Sequence, residues 1–439
     1  MTKKIALSFL ILCTAFSAFA QTFNTAKLDS LFSVLEAKDK YMGSIAISEN
    51  GKTIYAKTIG KADVAGGKEA TSATKYRIGS ISKTFTACLI FKAVEEGKLD
   101  LNKTIEGYFP AIQNASKITI SNLLNHRSGI HSFTDDEDYL SYNTKPISEK
   151  EMVSLIAKGK TEFEPNSKAE YSNSNYVLLS YILEKIYKKP YALLVDAKIG
   201  KPLGLKNTYF GGKTNIANNE CYSYTFDGSW QKETETDMSV PMGAGALVSN
   251  PADLTKFIEA LFAGKIISQK SLDQMITIQD NYGMGIFQVP FYENKGYGHT
   301  GGIDGFSSSV SYFPASKLAI AVASNGNTYD NNQILICALS SYFGKPFKVP
   351  SFNTIEVKPE DLELYVGEYS SPEIPLIITI RKEGNTITAQ ATGQNAFPLD
   401  AVRKDVFEFP LAGIKLEFNT ADKQMTLDQG GMKLVMTKK

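Results

Sequence analysis

The chain has 439 residues, of which 43% are hydrophobic and 21% charged, and its formal net charge is +1. That length allows two or three domains with a sizeable core, and the composition excludes a disordered or fibrous chain. Near-neutrality excludes the basic surface that nucleic acid or an acidic membrane demands.

The first twenty residues read as a targeting segment and not as part of the fold. MTKK is basic, IALSFLILCTAF is apolar but short for a membrane span, and Ala18 to Ala20 form a small-x-small cleavage signal. Together they predict a secretory signal peptide over 1–20, cut near Ala20-Gln21, and hence a secreted or periplasmic protein. Leu12 before Cys13 is too bulky for a lipoprotein processing site, so a free protein is expected. No later stretch is long and apolar enough to span a membrane. Cys88, Cys221 and Cys337 are an odd, sparse set and not a disulfide framework. One pair, or three free buried thiols, both fit.

Gly43 to Gly60 holds two alternating apolar runs around Asn50-Gly51, which predicts a hairpin. Ser80 to Gly97 places Ile81, Phe85, Leu89 and Val94 at helical spacing and closes on glycine. Ile118 to Ile130 reads as a short helix carrying His126, with a glycine stop. Asn175 to Lys188 and Ala252 to Phe262 read as amphipathic helices. Strands return over Gly305 to Asn325, and Ile334 to Phe343 reads as a last helix. Strands at both ends and helices between predict an α+β fold. One antiparallel sheet is flanked by helices, with an all-helical subdomain beside it, and the cleft lies between them. Residues 21–345 form this catalytic domain. Residues 346–358 read as a linker, set among three prolines of Lys345 to Pro359. Residues 359–439 read as a small all-β domain closing toward a barrel, with Gly430-Gly431 as one of its hairpin turns. No catalytic constellation is visible in it. Wall-polymer binding, covering of the cleft and oligomerisation are all open roles for it, and the oligomeric state is open too.

Three stretches carry the chemistry. The first is RIGSISKTF, Arg77 to Phe85. A serine hydroxyl is a poor nucleophile near neutral pH and needs an adjacent base. On a helix, Ser80 and Lys83 share a face, whereas Ser82 and Lys83 diverge by about 100°. Ser80 is therefore the partner of Lys83, although serine at a helix start is also an ordinary cap. The second is EYSNSNY. Tyr171 can relay a proton if cations lower its pKa, and Asn173 can orient both a lysine and a substrate carbonyl. A polar turn capped by Ser174 is the plain alternative. The third is YGHTGGIDGFSS, from Tyr297, where clustered glycines suit a closely approached backbone. His299 and Thr300 can contact an anionic or carbonyl group. The N–H of Gly302, after Gly301, can form an oxyanion hole with that of Ser80. An ordinary glycine-rich turn is the alternative there. His131 is a candidate substrate contact on a cleft-side loop. Asp304 and Glu170 lie near the motifs without a role. The sequence holds neither H-E-x-x-H nor a Cys/His cluster, so no metal or other cofactor is expected, and no G-x-S-x-G elbow.

SISK at Ser80, YSN at Tyr171 and HTG at His299, in that order, resemble the penicillin-recognising serine hydrolases. This family includes class C β-lactamases, D-alanyl-D-alanine carboxypeptidases, D-amino-acid peptidases and related esterases. LLNHRSGI, FEPNSKAEYSNSNYVLLSYILEK and GAGALVSNPADLTKF extend the resemblance over roughly Leu28 to Phe343. It implies a Ser80–Lys83–Tyr171 acyl-enzyme mechanism on an amide or ester carbonyl, with Asn173 orienting the substrate. His299, Thr300 and Gly301 belong to the substrate-binding strand. It also implies that His126 is structural. Class C β-lactamases usually carry lysine where His299 stands, and a histidine holds a carboxylate less firmly. The expected substrate is a small molecule or peptide of the D-Ala-D-Ala type, peptidoglycan included, or a β-lactam. An esterase and a non-turnover penicillin sensor are the alternatives.

Overall fold

The computed structural model describes residues 23–429 and 432–439. The segment read as a signal peptide and the Gly430-Gly431 turn lie outside the described residues.

The predicted hairpin is β1 (Tyr41–Glu49) and β2 (Lys52–Ile59), with Glu49 opposite Lys52. Asn50 and Gly51 both have positive φ, as a two-residue turn matching strand twist requires. The late strands are β3 (Phe287–Phe291), β4 (Asn294–Ile303), β5 (Phe306–Phe313) and β6 (Leu318–Asn327). Their order is β3-β4-β5-β6-β1-β2, antiparallel throughout. The sheet is thus assembled from both ends of the chain.

β6 is buried on both faces, and its period-2 alternation divides two cores. Leu318, Ile320 and Val322 face helices α1 (Thr25–Ala37) and α5 (Asn331–Tyr342). Ala319 and Ala321 face the larger core, built on α2 (Ser82–Glu95), α3 (Asn173–Tyr187) and α4 (Pro251–Phe262). Small residues on that side let α4 lie close, and Phe257 of α4 stacks on Phe85 of α2 with ring centroids 3.7 Å apart. Helix ends follow local chemistry. Asn250 accepts from the Asp253 N–H to start α4, and Lys188 turns left-handed to end α3.

Three local readings differ from the structure. The stretch from Gly79 to Ile81 is a 3-10 turn that runs into α2, so the α-helix proper begins at Ser82. The helix expected over Ile118 to Ile130 covers only Ile120–Leu124, because His126 takes φ +58 just beyond its end. The glycine-rich stretch is strand β4 and not a turn. Its glycines give low strand propensity, and the ladder to β5 overrides it.

Eight strands between Gly367 and Lys438 close into an antiparallel barrel. Ile380, Ile387, Phe407, Leu416 and Met436 are among its buried residues. The segment before it packs Phe347, Val349 and Phe352 against the core under α1 and α5. Cys88, Cys221 and Cys337 are buried free thiols. Among the described residues, no helix is long and apolar enough to cross a membrane, and no His/Cys/Asp/Glu group could hold a metal.

Candidate active site

Lys83, one turn into the helical segment that starts at Gly79, is fully buried. Its Nζ lies 2.8 Å from Ser80 Oγ, 2.8 Å from Asn173 Oδ1 and 2.9 Å from the Ala244 carbonyl. Burial pushes its pKa well below the ordinary lysine value, which favours the neutral amine. A neutral amine has two N–H bonds and one lone pair. The Asn173 and Ala244 oxygens can only accept, so they take both N–H bonds. The lone pair is then left for the Ser80 hydroxyl, which donates to it. That is the arrangement a base needs to take a proton from a nucleophile.

Asn173, at the start of α3, is fixed from its other end. Its Nδ2 donates to Thr134 Oγ1 at 2.9 Å, and its N–H to Ser132 Oγ at 3.1 Å. Ser174 is not the cap of α3, for Ser172 holds that position. Its hydroxyl instead donates to the His131 carbonyl at 2.6 Å. His131 itself is bridged by Glu162 and Asp136, which raise its pKa. Ser82 is buried, and its Oγ accepts from the Leu247 N–H at 3.1 Å.

Tyr171 is 43% exposed, with its ring 4.8 Å from Lys83 Nζ. Desolvation of the hydroxyl raises its pKa, and a hydrogen bond with Ser80 offsets only part of this. The sequence suggested that a nearby ammonium could lower it. A neutral Lys83 supplies no such cation, and desolvation keeps the phenol protonated. His126 stacks under Tyr171 at 4.4 Å between ring centroids. Its Nδ1 accepts from the Ser172 N–H at 3.1 Å, so it anchors the backbone beside Tyr171.

Strand alternation sends His299 and Thr300 to opposite sides of β4. Thr300 is exposed, whereas His299 is 3% exposed. The Thr300 carbonyl, 2.5 Å from His299 Nδ1, requires the proton on that nitrogen, so Nε2 accepts from the Tyr282 hydroxyl at 2.9 Å. Burial is the main cause that lowers the His299 pKa, to about 3. The residue is a buried neutral imidazole, with its ring centroid 6.4 Å from that of Tyr171, and not the partly charged group that the sequence suggested.

The loop before Ser80 and strand β4 meet through glycines. Gly79 has φ +48, and a Cβ there would sit 2.8 Å from the Gly302 nitrogen. A Cβ on Gly301 would lie 2.0 Å from the Ile78 carbonyl and 2.9 Å from the Ser80 nitrogen. Ser80 lies in the first helical turn, where backbone N–H groups lack partners within the helix. The Ser80 and Gly302 amides therefore come together beside the Ser80 hydroxyl. Arg77 and Asp304 tie the same two elements from outside, with Nη1 and Oδ2 2.9 Å apart and both side chains 4% exposed. Thr236 completes this tie through its hydroxyl, 2.6 Å from Asp304 Oδ1. Sequence reading gave neither Arg77 nor Asp304 a role, because their pairing spans 227 positions.

A cavity of about 410 Å³ opens beside Ser80. Asn173, Ala244 and Gly302 line it with the nucleophile, and Phe133, Tyr139 and Leu140 add apolar surface. Among the described residues lining it there is no lysine, arginine or histidine.

Comparison with known proteins places these features in context. The model of the β-lactamase family matches residues 29–335. The teichoic acid D-alanine hydrolase of Staphylococcus aureus is 26% identical over 302 residues, which cover 66% of this chain and 73% of that protein. The crystal structure of D-amino acid amidase from Ochrobactrum anthropi superposes with a TM-score of 0.65 at 26% identity, covering 73% of this chain and 99% of the amidase. An octameric penicillin-binding protein homologue from Pyrococcus abyssi covers 94% of this chain and 100% of its own, with a TM-score of 0.68 at 24% identity. At that identity the likeness concerns the fold, which it extends over nearly the whole chain.

Proposed function

The chain belongs to the β-lactamase family and is a serine hydrolase, and from that premise we propose that Ser80 is its nucleophile, in hydrolysis of an aminoacyl amide or ester. The 2.8 Å contact of Lys83 Nζ with Ser80 Oγ, made by an amine that Asn173 and Ala244 hold from two other sides, is the observation that carries this reading. Ser80 Oγ attacks the substrate carbonyl carbon as its proton passes to Lys83 Nζ. The N–H groups of Ser80 and Gly302 hold the oxyanion, and Asn173 orients the substrate. The tetrahedral intermediate collapses, the bond to the leaving nitrogen or oxygen breaks, and that atom takes the proton from Lys83 through the Tyr171 phenol. Water then attacks the Ser80 ester. Its proton passes to Lys83 by the same route, and Ser80 leaves reprotonated with release of the carboxylic acid. Thr300 faces the substrate, and His299 supports Tyr282.

The neutral state of His299 and the lack of a cation in the cavity lining disfavour a substrate anchored by a free carboxylate, such as a D-Ala-D-Ala peptide or a penicillin. A D-amino acid amide and a D-alanine ester, the substrates that the two relatives' names imply, need no such anchor. Residues 1–20 support export to the compartment where wall-linked esters of this kind occur. We expect alanine p-nitroanilide or a short p-nitrophenyl ester to be turned over at least tenfold faster, as kcat/KM, than nitrocefin or a D-Ala-D-Ala peptide. Steady-state rates on the four compounds check this. Comparable or faster turnover of nitrocefin or the peptide returns the site to carboxylate-bearing substrates.

A further inference from the structure

One carboxylate in the Ser80 cavity is left over by the mechanism. Glu233 lines it, half-buried, and among the described residues no hydrogen bond or ion pair engages its side chain. The backbone fixes it, for its N–H donates to the Ser223 carbonyl at 2.9 Å. The other acid of the lining, Asp304, is taken up by Arg77 and Thr236. Arg77 is already shared between Asp304 and Glu235. Three carboxylates therefore stand against one guanidinium, and Glu233 is the one without a partner. Glu233 also lines an adjoining cavity, together with Lys213 and Lys232, but among the described residues neither lysine pairs with it, and Lys232 lies over the Tyr222 ring. A partly desolvated carboxylate facing a cavity without cations attracts a positively charged ligand group.

We infer that Glu233 is a specificity-determining residue that binds the free ammonium group of the substrate's acyl part. The inference rests on the proposed Ser80 acyl-enzyme reading and narrows its substrate class to aminoacyl compounds with an unblocked amine. Phe133, Tyr139 and Leu140 give the remainder of the acyl group an apolar wall. The substrate amine would carry its charge to Glu233, whereas Lys83 is held by Ser80, Asn173 and Ala244 and does not line this cavity.

The test compares alanine p-nitroanilide, as both enantiomers, with N-acetylalanine p-nitroanilide and p-nitrophenyl propionate, which carry no ammonium. The proteins are the full chain and its Glu233→Gln and Glu233→Lys variants. In the parent protein we expect the free-amine anilide of one enantiomer to exceed its acetylated form at least tenfold in kcat/KM. Glu233→Gln lowers the free-amine rate at least tenfold and leaves p-nitrophenyl propionate within twofold. Glu233→Lys, in turn, gains activity on the mono-p-nitrophenyl ester of succinate, whose acyl part is anionic. Equal losses on free-amine and amine-less substrates, or no loss on either, overturn the ammonium site. Failure of p-nitrophenyl propionate to acylate Ser80 in the parent protein instead overturns the catalytic reading beneath it.

Discussion

Replacing Lys83 by alanine lowers kcat/KM by about 10²–10⁴-fold, the range for removal of a positioned general base, and leaves substrate binding much less changed. The amine is positioned to accept the Ser80 proton, because its two N–H bonds are held by Asn173 and Ala244. The pH profile separates this role from a structural one. Burial holds the Lys83 pKa below its ordinary value, so the neutral base is lost as pH falls through that depressed pKa. kcat/KM therefore rises with pH along an acid limb that belongs to Lys83. Lys83→Arg carries a cation that does not deprotonate in this range, so its residual activity lacks the limb. His299→Gln keeps the limb in place, since a histidine with a pKa of about 3 does not titrate near neutrality. A limb that survives in Lys83→Arg, or moves in His299→Gln, assigns the titration to another group.

The second large effect comes from one methyl group. Gly301→Ala puts a Cβ 2.0 Å from the Ile78 carbonyl and 2.7 Å from Ser308 Oγ. Either β4 or the loop carrying Ser80 must shift by roughly an ångström, and a displacement of that size costs about 10²-fold in rate. The Ile78 carbonyl also accepts from Ser308 Oγ at 2.9 Å, so it cannot simply turn away. We expect kcat to fall by about 10²–10³-fold, comparable with loss of one oxyanion donor, while urea unfolding still reports a folded protein. Gly107→Ala, whose Cβ meets nothing within 4 Å, is the control and retains full activity. An active Gly301→Ala enzyme would show that the Ser80 and Gly302 amides do not need this close approach.

What was legible in the sequence follows the range of the forces involved. Asn50-Gly51 specified its hairpin because the turn is made by the two residues themselves. Helix α3 from Asn175 and helix α4 from Ala252 were readable from apolar spacing. The Ser80–Lys83 pairing was readable because it lies within one turn. Strand β4 was not, since its glycines are chosen by a neighbouring backbone, at Ile78 and Ser80, that is distant in sequence. The charge state of the site was equally hidden. His299 is neutral because Tyr282 and Phe287 enclose it, and Lys83 is oriented by a carbonyl 161 positions away. The motifs named the chemistry, and the packing decided which groups carry charge within it.

Peptide mapping of the serine that a phosphonate modifies tests the assignment of Ser80 most directly. The full chain is treated with a p-nitrophenyl alkylphosphonate and digested, and the modified residue is located by tandem mass spectrometry. The account predicts one adduct, on Ser80, which is absent from Ser80→Ala and slowed at least a hundredfold in Lys83→Ala. Modification of Ser82 or of another serine, or unchanged labelling without Lys83, would contradict it.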